Sequence, residues 1–154
     1  MSPTETSRDG ISFVRVVDDE GWRAVKAIRQ VVFVEEQECP PDEEWDEHDA
    51  TARHILGLVE GEPAACARWR VVHYDGAPAA KLERFAVLKE HRGRGYGRPL
   101  VQFAVDEARR AGHKRFIMNA QAHLQGFYES LGFEDAGERF SEAGIPHLKM
   151  RRFE

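Results

Sequence analysis

The sequence predicts one α/β domain with a mixed sheet of about seven strands, in the order β-α-β-β-β-α-β-α-β-β. Three observations predict this class. Short runs of alternating apolar and polar residues are typical of strands. Longer runs with apolar residues at helical spacing are typical of amphipathic helices. A glycine-rich loop at 91–98 separates a strand from a helix, which indicates a parallel strand–helix–strand unit with its ligand end at that loop.

The first half of the chain is predicted to hold one helix and four strands. Asp18 and Asp19 can cap a helix over the apolar repeat that follows them. An acidic segment comes next, and Pro40 and Pro41 make it a loop or a short irregular helix. The strands are predicted at residues 11–17, 51–60, 64–73 and 79–88, with turns at 61–63 and 75–76.

The second half begins with the helix that follows the glycine-rich loop. This amphipathic helix, over 98–111, ends at Gly112, and a short strand is predicted at 115–120. A short helix over 123–131 then ends at Gly132. A final hairpin is predicted from strands at 133–140 and 147–153 that turn at 144–146.

Length and composition indicate a single soluble domain. A chain of 154 residues can build one core, so residues 11–154 are expected to form one domain after a flexible segment at 1–10. The chain is 42% hydrophobic and 32% charged, and no apolar run approaches the ~20 residues of a membrane span. The first ten residues lack the apolar core of a signal peptide. Cys39 and Cys66 give neither a disulfide framework nor metal spacing, so a cytoplasmic protein with reduced thiols is expected.

Charge is unevenly distributed along the chain. The net charge of −5 argues against general nucleic-acid binding. Residues 35–49 contain nine acidic residues and no Lys or Arg, whereas 91–98 is basic. The acidic segment is interpreted either as a solvated face or as a gate that attracts a cationic amine, with Glu36 the best single candidate. A metal site is not expected there, because the acids are scattered and nothing completes a ligand shell.

The loop at 91–98 is suited to bind a diphosphate. Gly93, Gly95 and Gly97 leave the backbone free to turn its N–H groups inward, and the next helix adds the positive end of its dipole. Arg92, Arg94 and Arg98 supply positive charge beside these donors. The glycine spacing fits neither a Walker loop nor a dinucleotide-binding fingerprint. A basic turn without a ligand is the other interpretation.

The pattern Arg92-x-x-Gly95-x-Gly97 resembles the acyl-CoA loop of the GNAT superfamily of N-acetyltransferases. A second string, NAQ at 119–121 followed by GFYESLGF at 126–133, is similar to the other hallmark of that superfamily. The resemblance narrows to the ElaA-like branch of small bacterial members. The strings that carry this narrower likeness are VFVEEQ at 32–37 with Cys39-Pro40, HILG at 54–57, QAHLQ at 121–125, and GIPH at 144–147 with Met150.

The resemblance implies a fold and a donor substrate. It implies the GNAT acyl-CoA N-acyltransferase fold, with a splayed parallel pair of strands and helices on both faces of the sheet. Acetyl-CoA would donate its acetyl group to a primary amine of a small molecule or peptide, by direct transfer in a ternary complex. Neither a nucleic acid, a membrane nor a metal is implied, and a homodimer is left open. The implied contacts to acetyl-CoA are Phe85, Ala86, Val87, Arg92, Gly93, Arg94, Gly95, Tyr96, Gly97, Arg98, Asn119, Phe127 and Tyr128.

The resemblance also implies catalytic roles. Tyr128 matches the tyrosine that protonates the CoA thiolate, and the N–H of Val87 or Leu88 would stabilise the thioester oxygen. Two residues are candidates for the base. Glu83 lies four residues before Val87 and could act only through water, whereas His147 belongs to a residue type whose ordinary pKa, near 6.5, suits a base.

Three further residues are candidates for contact with the acceptor. Glu36 belongs to the acidic segment, and His123 lies in a matched string near the expected cleft. Arg84 could bind an acceptor carboxylate or brace the acidic segment. The alternative to an enzyme is a non-catalytic acyl-CoA-binding sensor or interaction module, which keeps the loop but lacks an effective base.

Overall fold

A computed structural model describes the backbone of residues 5–8 and 10–154, and the side chains from residue 10 onward. Eight strands form one sheet in the order β1-β2-β3-β4-β5-β6-β8-β7. The strands are β1 (Glu5–Arg8), β2 (Ile11–Arg15), β3 (Arg53–Val59), β4 (Glu62–Tyr74), β5 (Ala77–Val87), β6 (Arg115–Gln121), β7 (Glu134–Glu142) and β8 (Ile145–Phe153). The α-helices are α1 (Asp19–Arg29), α2 (Pro41–Glu44), α3 (Gly97–Arg110) and α4 (Gln125–Glu129). This mixed sheet confirms the predicted fold class.

The first strand was not expected. Glu5–Arg8 pairs antiparallel with Ile11–Val14, so part of the segment expected to be flexible extends the sheet, which has eight strands rather than about seven. Backbone pairing with β2 stabilises this strand. Residues 1–4 and 9, the rest of the segment expected to be flexible apart from Gly10, lie outside the described residues.

The junction of β5 and β6 is the feature that positions the site. These two strands run parallel, whereas the six other strand pairs are antiparallel. Their register pairs Ala80 with Phe116 and Lys81 with Ile117, and β5 then continues to Val87 without β6 beside it. The predicted splayed pair is therefore present. It leaves backbone groups of β5 facing an open gap in the middle of the sheet.

Helices cover both faces of the sheet, as predicted. On one face Val25 and Ile28 of α1 pack with Leu56 and Cys66 of the sheet. On the other face α3 buries Leu100, Phe103 and Ala104 among other residues of the larger core, since its apolar positions recur at helical spacing. In the described part of the chain no helix is long and apolar enough to cross a lipid bilayer.

Helix α1 continues beyond Arg29 as a π-helix, in which the hydrogen-bonding pattern changes. The Asp18 carboxylate accepts a hydrogen bond of 2.9 Å from the Gly21 N–H, which caps the N-terminus as predicted. The helix then continues as a π-helix over Gln30–Glu36. A π-helical turn is wider than an α-helical one and is frequent at functional sites. It brings Phe33 and Gln37 to the edge of the gap between β5 and β6.

Two-residue turns join the hairpins. The turns are Glu60–Gly61, Asp75–Gly76 and Ala143–Gly144, and both residues of each turn have a positive φ. Such turns match the right-handed twist of the strands they connect. The expected turns at 61–63 and 144–146 therefore lie one or two residues too late, because a non-glycine residue takes the first position in each.

Candidate active site

Two cavities lie along the gap between β5 and β6. The larger has a volume of about 530 Å³ and is bordered by the end of the π-helix, by β5 and β6, by α4 and by the β7–β8 hairpin. The smaller has a volume of about 250 Å³ and lies against the glycine-rich loop. Its lining residues are Val87, His91, Arg92, Gly93, Gly95, Tyr96 and Gly97. The glycine-rich loop thus borders the smaller cavity, and the predicted catalytic residues Glu83, Tyr128 and His147 border the larger one.

A β-bulge in β5 determines which side chains face each cavity. The register with β4 pairs Cys66 with Ala86 but Arg68 with Glu83, so β5 holds one extra residue, and Arg84 has a φ of 58°. Beyond the bulge Phe85 packs beside the α3 core, whereas Ala86 is buried on the α1 side. The side chain of Ala86, a residue predicted to contact acetyl-CoA, therefore packs toward α1, so only its backbone can lie along the open edge of β5.

The backbone beyond the bulge distinguishes two candidate donors. The Leu88 N–H donates to the Ala64 carbonyl at 2.8 Å, so it is used within the sheet. Successive residues of a strand direct their backbone groups to opposite sides, so the Val87 N–H faces the gap. The Val87 carbonyl on the same side accepts a hydrogen bond of 2.8 Å from Arg92 Nε.

The start of α3 is suited to bind an anion. Among the described residues no side chain caps this helix, and its first turn contains no acidic residue. The N–H groups of Gly97 and Arg98 are therefore unpaired within the helix and carry its positive end. Gly93 and Gly95 have φ values of 79° and 80°, and a β-carbon at either position would meet nothing within 4 Å. The loop thus offers open space beside several N–H donors.

The side chains of this loop are less free than the sequence suggested. The Arg92 guanidinium forms an ion pair with Glu36 in addition to its bond to Val87. Arg98 donates to Ser130 Oγ at 2.7 Å and lies over the Phe127 ring at 5.8 Å. The Tyr96 ring is buried in the core, although the residue lines the smaller cavity. Arg94 is exposed.

Tyr128 lies at the inner wall of the larger cavity. Its side chain is 6% exposed and packs against the rings of Phe127 and Phe133, at 5.1 Å and 6.4 Å between centroids. Burial raises the pKa of its phenol to about 12. Asn119 of β6 lines the same cavity, and its buried Oδ1 has no partner among the described residues. Such an atom calls for a donor from a bound ligand or from water.

Glu83 is surrounded by positive charge. Its Oε2 accepts hydrogen bonds from Arg68 Nε at 2.5 Å and Arg70 Nε at 3.1 Å, and its Oε1 lies 3.5 Å from Lys81 Nζ. Burial by itself would raise the pKa of Glu83, but Arg68, Lys81 and Arg70 together lower it. A carboxylate stabilised in this way is a weak base.

His147 of β8 is placed differently. Its ring is 8% exposed and lines the larger cavity, where it stacks on Phe140 with 5.9 Å between centroids. Its Nδ1 lies 2.7 Å from the Ile145 carbonyl, which can only accept, so Nδ1 carries a proton. In the neutral ring Nε2 is then free to accept, and it lies 3.5 Å from a carboxylate oxygen of Glu142.

Six of the nine acids in the acidic segment are exposed, and the other three are partly or fully buried against arginines. Glu44 is 2% exposed and accepts a hydrogen bond of 2.5 Å from Arg29 Nε. Asp46 and Asp49 each accept from Arg68, at 2.8 Å and 2.7 Å. Glu36, the candidate for attracting an amine, is paired with Arg92 outside the lining of the larger cavity. Three acids of the segment are thus paired with Arg29 and Arg68 from other elements, whereas both interpretations of its exposed acids stay predictions.

Two further candidates have clear positions. The Arg84 guanidinium lies 3.2 Å from Asp46 Oδ2 and 3.2 Å from Glu44 Oε1. These contacts agree with the interpretation that Arg84 braces the acidic segment rather than with the one in which it binds an acceptor carboxylate. His123 is exposed on a 3-10 turn and does not line either cavity.

Sequence reasoning missed several residues of the larger cavity, namely Gln37, Cys39, Lys81, Gln121, Ser141 and Glu142. Gln37 and Gln121 form a hydrogen bond of 3.3 Å across 84 positions of sequence. Both glutamines belong to strings that carry the ElaA-like resemblance, and this resemblance could have identified them as cavity residues. Lys81 and Glu142 belong to no such string, and only the fold brings them to the cavity.

Comparison with known proteins identifies the family. A family model described as an acetyltransferase (GNAT) domain matches residues 41–153. The uncharacterized N-acetyltransferase YjcF of Bacillus subtilis (strain 168) is 38% identical over 126 residues, covering 81% of this chain and 87% of YjcF. Protein ElaA of Escherichia coli (strain K12) is 37% identical over 131 residues, covering 84% of this chain and 85% of ElaA.

Solved structures share the fold over nearly the whole chain. The crystal structure of Escherichia coli ElaA matches with a TM-score of 0.80 and 31% identity, covering 92% of this chain and 99% of that one. The structure of an acyl-CoA N-acyltransferase from Pseudomonas aeruginosa matches with a TM-score of 0.82 and 29% identity, again covering 92% and 99%. With its diverging parallel strands and glycine-rich loop, the chain belongs to the GNAT acetyltransferase family, in its ElaA-like branch, and is an acyltransferase.

Proposed function

We propose that this protein transfers the acetyl group of acetyl-CoA to a primary amine, by direct attack in a ternary complex. One observation carries the proposal. The open edge of β5 beyond Lys81 runs from the anion-binding start of α3 to the buried phenol of Tyr128, so a single extended ligand can contact both. A diphosphate at one end and a thioester at the other would suit these two surroundings.

The residues present fit the donor along its length. The N–H groups at Gly97 and Arg98 and the open loop at Gly93 and Gly95 suit a diphosphate. The Val87 N–H suits an oxygen acceptor, and the unpartnered Asn119 Oδ1 suits an amide N–H. Acetyl-CoA would supply a thioester, whose carbon accepts the amine and whose sulfur leaves.

Two groups of this chain would act on the thioester. The Val87 N–H is directed into the gap, where it would stabilise the oxygen that gains negative charge as the amine attacks. The Tyr128 phenol would donate its proton to the departing sulfur. A phenol whose pKa is about 12 stays protonated at neutral pH, so it is available as an acid.

The geometry favours His147 over Glu83 as the base. Three cations hold Glu83 in its charged form, which removes its tendency to accept a proton. His147 faces the same cavity with its protonated Nδ1 fixed on Ile145 and its Nε2 available. It would take a proton from the acceptor ammonium or from the attacking amine, directly or through one water molecule.

The test is thiol release from acetyl-CoA across a panel of amines. Tyr128→Phe should lower turnover by about 100-fold or more with nearly unchanged acetyl-CoA affinity, because the phenol acts only as charge develops on sulfur. His147→Gln should lower turnover as well, because it removes the group that takes the proton of the acceptor amine. Tyr74→Phe, at the far end of the β4–β5 hairpin, is the matched control.

The same assay separates this function from its alternative. A protein that binds acetyl-CoA but releases no thiol with any amine would be a non-catalytic acyl-CoA sensor. Wild-type turnover in Tyr128→Phe, with chemistry shown to be rate-limiting, would reduce Tyr128 to a packing role.

A further inference from the structure

Lys81 is a charged group of the larger cavity that the proposed chemistry does not use. It lies where the pairing of β5 with β6 ends, opposite Arg70 of β4 and Ile117 of β6. Its side chain is 21% exposed and lines the cavity. The only carboxylate oxygen within 4 Å, among the described residues, is Glu83 Oε1 at 3.5 Å.

The charge of Lys81 is incompletely balanced. Glu83 already accepts hydrogen bonds from Arg68 and Arg70, so Lys81 is the third cation on one carboxylate. The ion pairs around it join five cations to four carboxylates. The cations are Arg29, Arg68, Arg70, Lys81 and Arg84, and the carboxylates are Glu44, Asp46, Asp49 and Glu83. A partly buried cation without its own counter-ion is unfavourable, and an anionic ligand would relieve this.

The opposite charge lies on the other wall of the cavity. Glu142 of the β7–β8 hairpin is 49% exposed and lies 3.5 Å from His147 Nε2. Glu43, also exposed, lies at the acidic-segment side of the cavity. The deeper acids of that segment are all paired with arginine. The cavity therefore presents one under-compensated cation at the strand junction and an anion beside the proposed base.

We propose that the acceptor carries a carboxylate as well as its amine, and that Lys81 binds the carboxylate. This inference rests on the proposed function and deepens it by naming the acceptor class, an amino acid or a short peptide. The amine then lies on the His147 and Glu142 side, where its proton can be removed. The carboxylate fills the site that the three cations around Glu83 leave uncompensated. Burial lowers the pKa of Lys81, which a bound carboxylate would reverse.

The acceptor would lie between Lys81 and the thioester. Lys81 precedes Val87, the proposed donor to the thioester oxygen, by six positions, about 20 Å along a strand at ~3.3 Å per residue, and the bulge and the length of the lysine side chain shorten this span. A volume of about 530 Å³ accommodates the thioester end of the donor together with an acceptor of this size. The series from glycine to 6-aminohexanoate, with dipeptides, samples the distances between amine and carboxylate that this arrangement allows.

The experiment compares acceptors in matched pairs. Each pair consists of an amino acid, ω-amino acid or dipeptide and its carboxamide, which differ in one charge. For the preferred spacing, the carboxylate member should have a kcat/KM about 10- to 100-fold higher, the range of a charge-assisted hydrogen bond. Lys81→Met should remove most of this ratio through a higher KM for the carboxylate, and Lys81→Arg should retain it.

Lys149→Met is the matched control. Lys149 of β8 is 22% exposed, lies 3.5 Å from Glu138 Oε2, and does not line the cavity, so its loss should leave the ratio unchanged. Thermal melts confirm that each variant is folded, and the wild-type comparison needs no variant.

The outcomes separate this inference from the proposed function. Equal kcat/KM within every wild-type pair would overturn the inference, as would a ratio that survives in Lys81→Met. So would a failure to acetylate any carboxylate acceptor while simple amines are turned over. A lack of turnover with every amine and no thermal shift with acetyl-CoA would instead overturn the proposed function itself.

Discussion

The acidic segment at 35–49 and the basic loop at 91–98 are equally conspicuous in the sequence, and the fold treats them in opposite ways. The acidic segment directs Glu44, Asp46 and Asp49 inward onto guanidinium groups. The basic loop leaves Arg94 exposed and surrounds open space with backbone N–H groups. The first region is a structural ion network, and the second is a site prepared for an anion.

The difference shows that the role of a run of like charges depends on the side chains that face it in the fold. Arg29 and Arg68 are each 1% exposed, so their charges could be buried only with carboxylates beside them. The acidic segment supplies those carboxylates and is thereby held against β4 and β5, as a wall of the larger cavity. No comparable acids lie in the first turn of α3, so its charge remains available.

The largest expected effect comes from removing the centre of the network. Arg68→Met should lower the free energy of unfolding by about 3–5 kcal/mol, because it removes a buried guanidinium that pairs with three partly buried carboxylates, Asp46, Asp49 and Glu83. Urea unfolding at pH 7 measures this. Arg94→Met removes an equal charge from the basic loop and should change stability by less than ~0.5 kcal/mol. Equal losses in the two variants would contradict the comparison.

The basic loop should be sensitive in ligand binding rather than in stability. Acetyl-CoA at a hundred times its dissociation constant should stabilise the wild type by about 2.7 kcal/mol. Gly95→Asp should abolish most of this, since it places a side chain and a negative charge beside the N–H donors. Thermal shifts with and without acetyl-CoA measure it. Gly76→Asp is the control, because Gly76 has nearly the same φ, 83° against 80°, and equally open surroundings.

Acid should lower the free energy of unfolding by protonating the carboxylates of the ion network, whereas the basic loop offers no carboxylate of this kind. Burial would raise the pKa of Asp49, but its hydrogen bonds and charge pairs with Arg29 and Arg68 lower it. Burial likewise opposes Arg68 and Arg84 at Asp46, and these arginines lower the pKa of Asp46. At Asp46 and Asp49 the folded state therefore binds fewer protons than the unfolded state, whereas burial raises the pKa of Glu44 and partly opposes this. This stability is present above the unfolded pKa, near ~3.9 for Asp, and is lost as pH falls below it. Urea midpoints measured between pH 7 and 3 should be steady at first and fall below about pH 4, and Arg68→Met should flatten that fall.

The smallest effect is expected where the two regions meet. Glu36→Gln removes the carboxylate that pairs with Arg92, so acetyl-CoA should bind severalfold more tightly, while an exposed pair contributes only about 0–1 kcal/mol to stability. Calorimetric titration with acetyl-CoA measures the affinity. A large increase in acceptor KM in this variant would instead restore Glu36 as an acceptor contact.

The sequence by itself determined the order of the main elements from β2 onward, the glycine-rich loop ahead of α3, and the family. These features are local, since they depend on hydrophobic period, on turn residues and on contiguous strings that one stretch of chain contains. The roles predicted for Tyr128 and His147 follow from such strings, and the fold places both side chains at one cavity.

Only the tertiary structure decided how the charges pair and which backbone groups stay free. Arg29, Arg68 and Arg84 reach the acidic segment from three different elements, and Lys81 and Glu142 line one cavity only because β5 and the β7–β8 hairpin both border it. Beyond the single extra residue in β5, the Ala86 side chain lies on the α1 face of the sheet and the Phe85 side chain lies on the α3 face. Electrostatic pairing and hydrogen bonding depend on separation in space, which sequence distance does not report, so the ion network and the proposed carboxylate site become visible only in the fold.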